Sequence, residues 1–203
     1  MTSHPKDASD ELIEVMAKNP KIARHFHLPM QSGSSEILKA MNRHYDRERY
    51  FDVARKIKAA MPDITLTTDI IVGFPGETEE QFADTLSAIR EVEFDSIYAF
   101  IFSPRNGTPA AEMEDPITKE EKSARFSRLL EIESEVNAAL GKKLVGKEMR
   151  ILVDSHPAPD GLCSGRNSGN KIIKFKSDKD YYGQYINVKV TSSEGASVYA
   201  DIL

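Results

Sequence analysis

Three short stretches in the first half of the chain place polar groups where apolar runs stop. In Thr67-Thr68-Asp69-Ile70-Ile71-Val72-Gly73-Phe74-Pro75-Gly76-Glu77-Thr78, an apolar run ends in two glycines and a proline, and an acidic segment follows. This is the pattern of a strand, a tight turn and a helix N-terminus, where backbone N–H groups can approach an acceptor or an anion. A plain strand-to-helix turn uses the same residues, so the loop alone does not decide between them. Asp69 stands inside the apolar run and needs partners, either in neighbouring loops or across a lumen near a substrate. His27-Leu28-Pro29-Met30-Gln31-Ser32-Gly33-Ser34 offers a histidine, an amide and hydroxyls that suit a ribose or a carboxylate. Gln31 and Ser32, past the strand end, are the better site candidates, and His27 reads more readily as a satisfied core residue. Ser103-Pro104-Arg105 follows an aromatic run. Its guanidinium suits bidentate contact with a carboxylate or phosphate, or a surface ion pair.

A fourth stretch lies near the C-terminus. Gly165-Arg166-Asn167-Ser168-Gly169-Asn170-Lys171-Ile172-Ile173-Lys174-Phe175-Lys176 carries four positive charges and no negative one. Phe175 falls between two lysines, and Tyr181, Tyr182 and Tyr185 follow. Basic and aromatic side chains on a small barrel suit RNA backbone contact and base stacking. A solvated, lysine-rich edge strand is the alternative.

The elements that must position these groups follow from spacing. The pattern predicts helices over 10–18, 35–42, 46–60, 79–92 and 118–140, with Ser9, Thr78 and the Thr118-to-Glu121 capping box as starts. Strands are predicted over 26–30, 64–72 and 96–102. Strand, loop and helix thus alternate three times at about 35-residue spacing, which implies parallel strands with helical crossovers. Three units do not close a barrel. They form either a small open α/β sheet or the later part of a larger barrel, and the start of the chain, entering mid-pattern, favours the second. From residue 145 the pattern shortens to five alternating strands over 148–153, 161–164, 172–176, 185–190 and 197–202, the mark of a small antiparallel barrel. Residues 141–146 link the two parts.

Bulk properties narrow the class. The chain has 203 residues, a net charge of −5 and one cysteine, Cys163. One cysteine excludes an internal disulfide framework and a cysteine-rich metal site made by this chain alone. The absence of a long apolar run or a signal-like start points to a cytoplasmic chain without membrane contact. Residues 142–203 hold ten Lys/Arg and seven Asp/Glu, so the net of −5 hides a basic tail on an acidic body. That asymmetry suggests two modules with different partners. A phosphate-handling enzyme is disfavoured because no Gly-Lys-Ser/Thr follows Gly73 or Gly76.

In this order and spacing the strings resemble the methylthiotransferase family of radical S-adenosylmethionine enzymes. The resemblance runs through Thr2-Ser3-His4-Pro5, His27-Leu28-Pro29 with Gln31-Ser32-Gly33-Ser34, Met41-Asn42-Arg43, Thr68 to Thr78, and Phe102-Ser103-Pro104-Arg105 with Gly107-Thr108-Pro109-Ala110-Ala111. It ends in a tail similar to the TRAM domain, at Leu144-Val145-Gly146, Gly165-Arg166, Gly183 and Val188. The arginine in Ser103 to Pro109 favours the tRNA-modifying branch over the ribosomal-protein branch. The resemblance implies an α/β part plus a small all-β part: the C-terminal half of a radical SAM, TIM-like α/β barrel over 1–141, then a five-stranded antiparallel, OB-like TRAM barrel over 142–203.

The family also carries an N-terminal three-cysteine domain and a Cys-x-x-x-Cys-x-x-Cys loop, and neither is in this chain. The resemblance therefore implies the C-terminal part of such an enzyme, inactive alone. The whole enzyme would use S-adenosyl-L-methionine and two [4Fe–4S] clusters to methylthiolate C2 of N6-isopentenyladenosine 37 in tRNA. It would bind the anticodon stem-loop and act as a monomer. Gln31, Ser32, Ile71, Val72, Gly73, Phe102, Ser103 and Arg105 would hold the S-adenosylmethionine. Arg166, Lys171, Lys174 and Lys176 would bind the RNA. The competing reading is an RNA-binding module whose α/β part is only a scaffold.

Overall fold

The computed structural model describes residues 4–203, so Thr2 and Ser3 of the first string lie outside the described residues. Helix starts follow the capping chemistry. Ser9 accepts the Leu12 N–H at the head of α1 (Asp10–Lys18), and Asp46 accepts the Arg49 N–H at the head of α3 (Arg47–Ala60). Thr78 and Thr118 close reciprocal capping boxes with Gln81 and Glu121, starting α4 (Glu79–Val92) and α5 (Lys119–Lys142). Each such cap is worth about 1 kcal/mol. The short α2 (Ser35–Ala40) begins without a side-chain cap.

Three parallel strands, β1 (His25–His27), β2 (Thr65–Val72) and β3 (Ser96–Ile101), lie in the order β1-β2-β3. The predicted strand over 26–30 is shorter as a ladder because Pro29 has no N–H to give. Pairing resumes beyond it, where the Gln31 N–H donates to Asp69 O at 2.8 Å and the Ile71 N–H donates to Gln31 O at 2.9 Å.

Alternation along β2 sorts its side chains. Leu66, Ile70 and Val72 are fully buried with Phe26 and Leu28, packed with Phe82 and Ile89 of α4 and Leu129 of α5. Thr67, Asp69 and Ile71 take the other face, with His27 and, from β3, Tyr98 and Phe100 in register. Tyr98 and Phe100 are 52% and 54% exposed. Parallel sheets are normally covered on both faces, and this chain covers one.

The second part is a closed barrel in the order β4-β5-β6-β8-β7, built from β4 (Glu148–Val153), β5 (Leu162–Arg166), β6 (Ile172–Lys176), β7 (Tyr185–Glu194) and β8 (Ser197–Ile202). Its pairs are antiparallel except β6 with β8, the parallel closure that distinguishes it from an up-and-down barrel. β7 runs four residues past the predicted end, with a register shift between Val190 and Ser192. Ile151, Val153, Cys163, Ile173, Phe175, Val188 and Val190 fill the core. Phe175 is 2% exposed, so it is a core residue and not a stacking surface.

The barrel docks on the N-terminal ends of the parallel strands. The Arg24 N–H donates to Ser168 Oγ at 3.1 Å, and Lys171 Nζ lies 3.3 Å from Asp95 Oδ1. Gly169 packs so closely that a Cβ there would sit 2.2 Å from Thr65 Oγ1. Helix α5 carries the chain across. Its Gly141 meets Ser193, and the Gly146 N–H donates to Val190 O at 2.8 Å.

Glu133 ties α5 to the sheet by accepting the Ile97 N–H at 2.8 Å. Burial raises its carboxyl above the ordinary value, and this hydrogen bond opposes the shift in part. A folded-state value above the unfolded one favours folding at low pH, and that contribution is lost as pH rises through the folded value. Glu133→Gln keeps an acceptor for Ile97 and cannot ionise. Its melting temperature relative to the parent should therefore rise between about pH 4 and pH 7, measured by circular dichroism.

Candidate functional site

The C-terminal ends of the three strands surround a cavity of about 830 Å³. Ile71, Phe74, Phe100, Phe102 and Met41 supply apolar walls, and Gln31, Asp69, Ser103, Arg43 and Arg105 supply polar groups. Volume and lining fit a small organic ligand with a few orienting polar contacts.

Each wall is held from behind. Gln31 has φ 70° and is bonded on both sides by β2, which fixes an otherwise unfavourable backbone. Tyr45 donates its hydroxyl to Pro29 O and Met30 O, and burial pushes its phenol up to about 12, so it stays a donor. Gly73 has φ 72°, and a Cβ on it would lie 2.6 Å from Lys122 Cγ. Its N–H donates to Glu77 Oε2 at 2.9 Å, and Glu77 is buried against Arg125 at 3.2 Å. Burial raises the Glu77 carboxyl, while the Gly73 N–H and Arg125 pull it back down. Lys122 lies over the Phe102 ring and pairs with Asp115.

The eight residues expected around a cofactor divide into five that line the cavity and three that do not. Gln31, Ile71, Phe102, Ser103 and Arg105 line the cavity. Ser32 does not. It is fully buried, with Oγ 3.3 Å from Thr85 Oγ1 and accepting the Ser34 N–H. Val72 points into the helix-side core, and the Gly73 N–H is taken by Glu77, so neither reaches the cavity. His27 is satisfied, as its sequence context suggests: Nδ1 is 2.9 Å from Thr67 Oγ1 and Nε2 is 3.4 Å from Asp69 Oδ1. Asp69 also lines the cavity.

The sequence alone predicts a helix through residue 42 and gives Arg43 no role, whereas the helix ends at Ala40 and a turn follows at Met41-Asn42-Arg43. Asn42 has φ 57°, the left-handed conformation asparagine tolerates, and this turn brings Arg43 to the cavity. Arg43 Nε is buried without a hydrogen-bond partner. A buried unpaired guanidinium nitrogen is costly, while the residue as a whole still lines the cavity.

The four cations expected to meet RNA have different surroundings. Arg166 Nε lies 2.8 Å from Asp154 and remains 44% exposed. Lys174 Nζ reaches Ser197 Oγ at 3.1 Å and lies over the Tyr199 ring. Lys176 is exposed. Lys171 turns instead into the seam with Asp95, where both side chains are largely buried. No group of three or more His, Cys, Asp or Glu among the described residues could hold a metal ion. Cys163 is buried in the barrel, and burial pushes its thiol up, which disfavours the thiolate a metal needs. The chain's own residues therefore do not fit an iron–sulfur cluster. None of the helices among the described residues is long and apolar enough to cross a membrane.

Comparison with known proteins agrees with this geometry. Residues 1–89 match the Radical SAM superfamily and residues 142–203 match the TRAM domain. The chain therefore carries part of a radical SAM domain together with a TRAM domain. It is 49% identical, over 98% of its length, to a tRNA-2-methylthio-N(6)-dimethylallyladenosine synthase of Clostridium botulinum. It is 50% identical, over its whole length, to the protein of that name from Bacillus licheniformis. The chain spans 44% of the first and 40% of the second. In fold it is similar to coproporphyrinogen III oxidase of Escherichia coli, a radical SAM enzyme. The TM-score is 0.57 at 14% identity, over 82% of this chain and 45% of that one.

Gly33 shows how tightly the first loop is built. Its N–H donates to Thr85 Oγ1 at 2.9 Å, and a Cβ there would lie 2.5 Å from Thr85 Cα and 2.6 Å from Asp84 O. Gly33→Ala should cost about 1–3 kcal/mol, the usual penalty for overpacking. Urea denaturation of the chain would measure it.

Proposed function

We propose that this chain is the C-terminal portion of a tRNA-2-methylthio-N6-dimethylallyladenosine synthase, and that its cavity forms one wall of the S-adenosylmethionine site. The observation that carries the reading is a cavity walled by Ile71 and three phenylalanines, with Gln31, Arg43 and Arg105 among its polar lining. An adenosyl ring fits against the apolar side, and the ligand's carboxylate fits the arginines. In this reading Ile71 and Phe102 pack on the adenine, Gln31 hydrogen-bonds the ribose, and Arg43 and Arg105 take the carboxylate. Arg105 alternatively meets the substrate nucleotide. Bound beside a reduced cluster, S-adenosylmethionine supplies the radical chemistry, and these side chains bind and orient it.

The two [4Fe–4S] clusters of the reading would be held by sequence outside this chain, and the chain alone would be inactive. The bare face around Tyr98 and Phe100 supports a larger barrel in which other strands complete the lumen. The TRAM domain would bind the tRNA anticodon stem-loop through Arg166, Lys174 and Lys176, with Lys171 bracing the domain on the barrel. The whole protein would be cytoplasmic and monomeric, without membrane contact.

In a full-length synthase bearing this sequence, Gln31→Ala and Arg43→Ala should each weaken S-adenosylmethionine binding by about tenfold, the scale of a lost charge-assisted contact. Equilibrium dialysis reads this independently of turnover. Affinity unchanged in both variants would refute the pocket assignment and leave the competing reading of an RNA-binding module on an α/β scaffold. Ser32→Ala, which removes the contacts to Thr85 and to the Ser34 N–H behind the cavity, should leave the affinity within about twofold.

A further inference from the structure

The outer face of the C-terminal barrel carries a row of side chains that begins outside the lysine-rich stretch and runs into it. Leu152 is opposite Tyr185 on one neighbouring strand and opposite Arg166 on the other, and Arg166 is opposite Ile172. Residues paired across strands share a face. Tyr185, Leu152, Arg166 and Ile172 therefore form one line across β7, β4, β5 and β6, about 14 Å long at ~4.8 Å per strand. Water normally claims such positions for polar groups. Here Tyr185 is 60% exposed, Ile172 45% and Leu152 37%. The Arg150 guanidinium lies 4.2 Å from the Tyr185 ring centroid. Beyond the ends of the same two strands, the exposed Tyr182 ring stacks on His156 at 4.3 Å.

We propose that this row is a stacking track for unpaired RNA bases, with Tyr185 as its platform and Arg150 and Arg166 as its phosphate contacts. The form of the patch selects the occupant. It is one side chain wide, flat at the tyrosine, and flanked by guanidiniums in a domain whose net charge is positive. That matches a strand of bases stacking on aromatic rings with its phosphates alongside. A stable protein interface needs a broader patch, about 800 Å² on each partner. The proposal deepens the tRNA reading above and rests on it for the identity of the RNA. It adds that the tail takes hold of single-stranded nucleotides, with Tyr185 and Arg150, both outside 165–176, as the new contacts.

The test uses the 203-residue chain and a fluorescein-labelled single-stranded RNA, followed by anisotropy, with the same sequence annealed to its complement as control. Tyr185→Ala should weaken single-strand binding about tenfold, or ~1.4 kcal/mol, within the range for one stacked base. It should leave duplex binding within about twofold, because paired bases are already stacked, and should leave the salt dependence unchanged. Tyr185→Phe should restore affinity. Arg150→Ala should reduce the slope of log K against log salt by about 0.7, one phosphate contact on a single strand. Melting curves of both variants should match the parent, since both side chains are exposed.

Single-strand affinity unchanged in Tyr185→Ala, equal weakening on single strand and duplex, or failure of Tyr185→Phe to restore binding would overturn the proposal. So would a parent chain that binds no RNA at low salt. Binding of the parent to phosphatidylserine vesicles, lost in Tyr185→Ala while RNA binding stays, would assign the row to a membrane surface instead and overturn it. None of these results touches the S-adenosylmethionine assignment, which stands or falls on Gln31 and Arg43.

Discussion

Strand β2 runs from the small barrel to the cavity. It is paired on both edges, so its backbone cannot shift without breaking two parallel ladders. Its first residue, Thr65, meets Gly169 of the small barrel, and its far end, Asp69 to Val72, borders the cavity. Eight residues at about 3.3 Å each put these ends some 25 Å apart. The pocket and the small barrel are therefore held at a set separation by a single buried strand. Any ligand that reaches both must be longer than that strand.

The turn after β2 shows a different logic from the one its glycines suggest. In a phosphate-binding loop the glycine N–H groups face outward to an anion. Here the Gly73 N–H faces the buried Glu77 carboxylate, which Arg125 neutralises in part. The anion is internal, supplied by the chain. Lys122 fills the space where a Cβ would stand, and its cation rests over Phe102. Glycine is required at 73 for the positive φ and for Lys122, so the loop serves as a rigid backing for the cavity wall. Replacing Gly73 would strain the backbone and displace Lys122 together, and Phe102 would lose its support.

The helices and most strand positions were legible because each had a local cause: a capping hydroxyl, an apolar spacing of three and four, a proline stop. The two-part architecture was legible from the change of period near residue 145. The candidate site was legible only to the level of strand ends. Whether Ile71 or Val72 faces a ligand depends on which face of the sheet the helices cover, and a shift of one residue inverts the answer. Ser32 was misplaced because its partner, Thr85, lies on a helix 53 positions away. Arg43 was missed because its turn depends on Asn42 adopting a left-handed backbone, a choice that many asparagines do not make.

Lys171 illustrates the limit of reading charge from composition. In the sequence it is one of four uninterrupted cations, and all four look equally available. In the fold it spans the seam to Asp95, whose other carboxylate oxygen accepts the Leu66 N–H of β2 at 3.0 Å. The same carboxylate thus closes the start of β2 and receives the lysine of the neighbouring domain. A partly buried pair of this kind adds little net stability of its own. Its value is geometric: a misaligned domain would leave Asp95 and Lys171 both desolvated and unpaired, which is far costlier than their correct pairing is favourable. The pair therefore selects one docking of the small barrel on the α/β sheet and penalises its neighbours. The fixed separation between the two functional regions requires that selection.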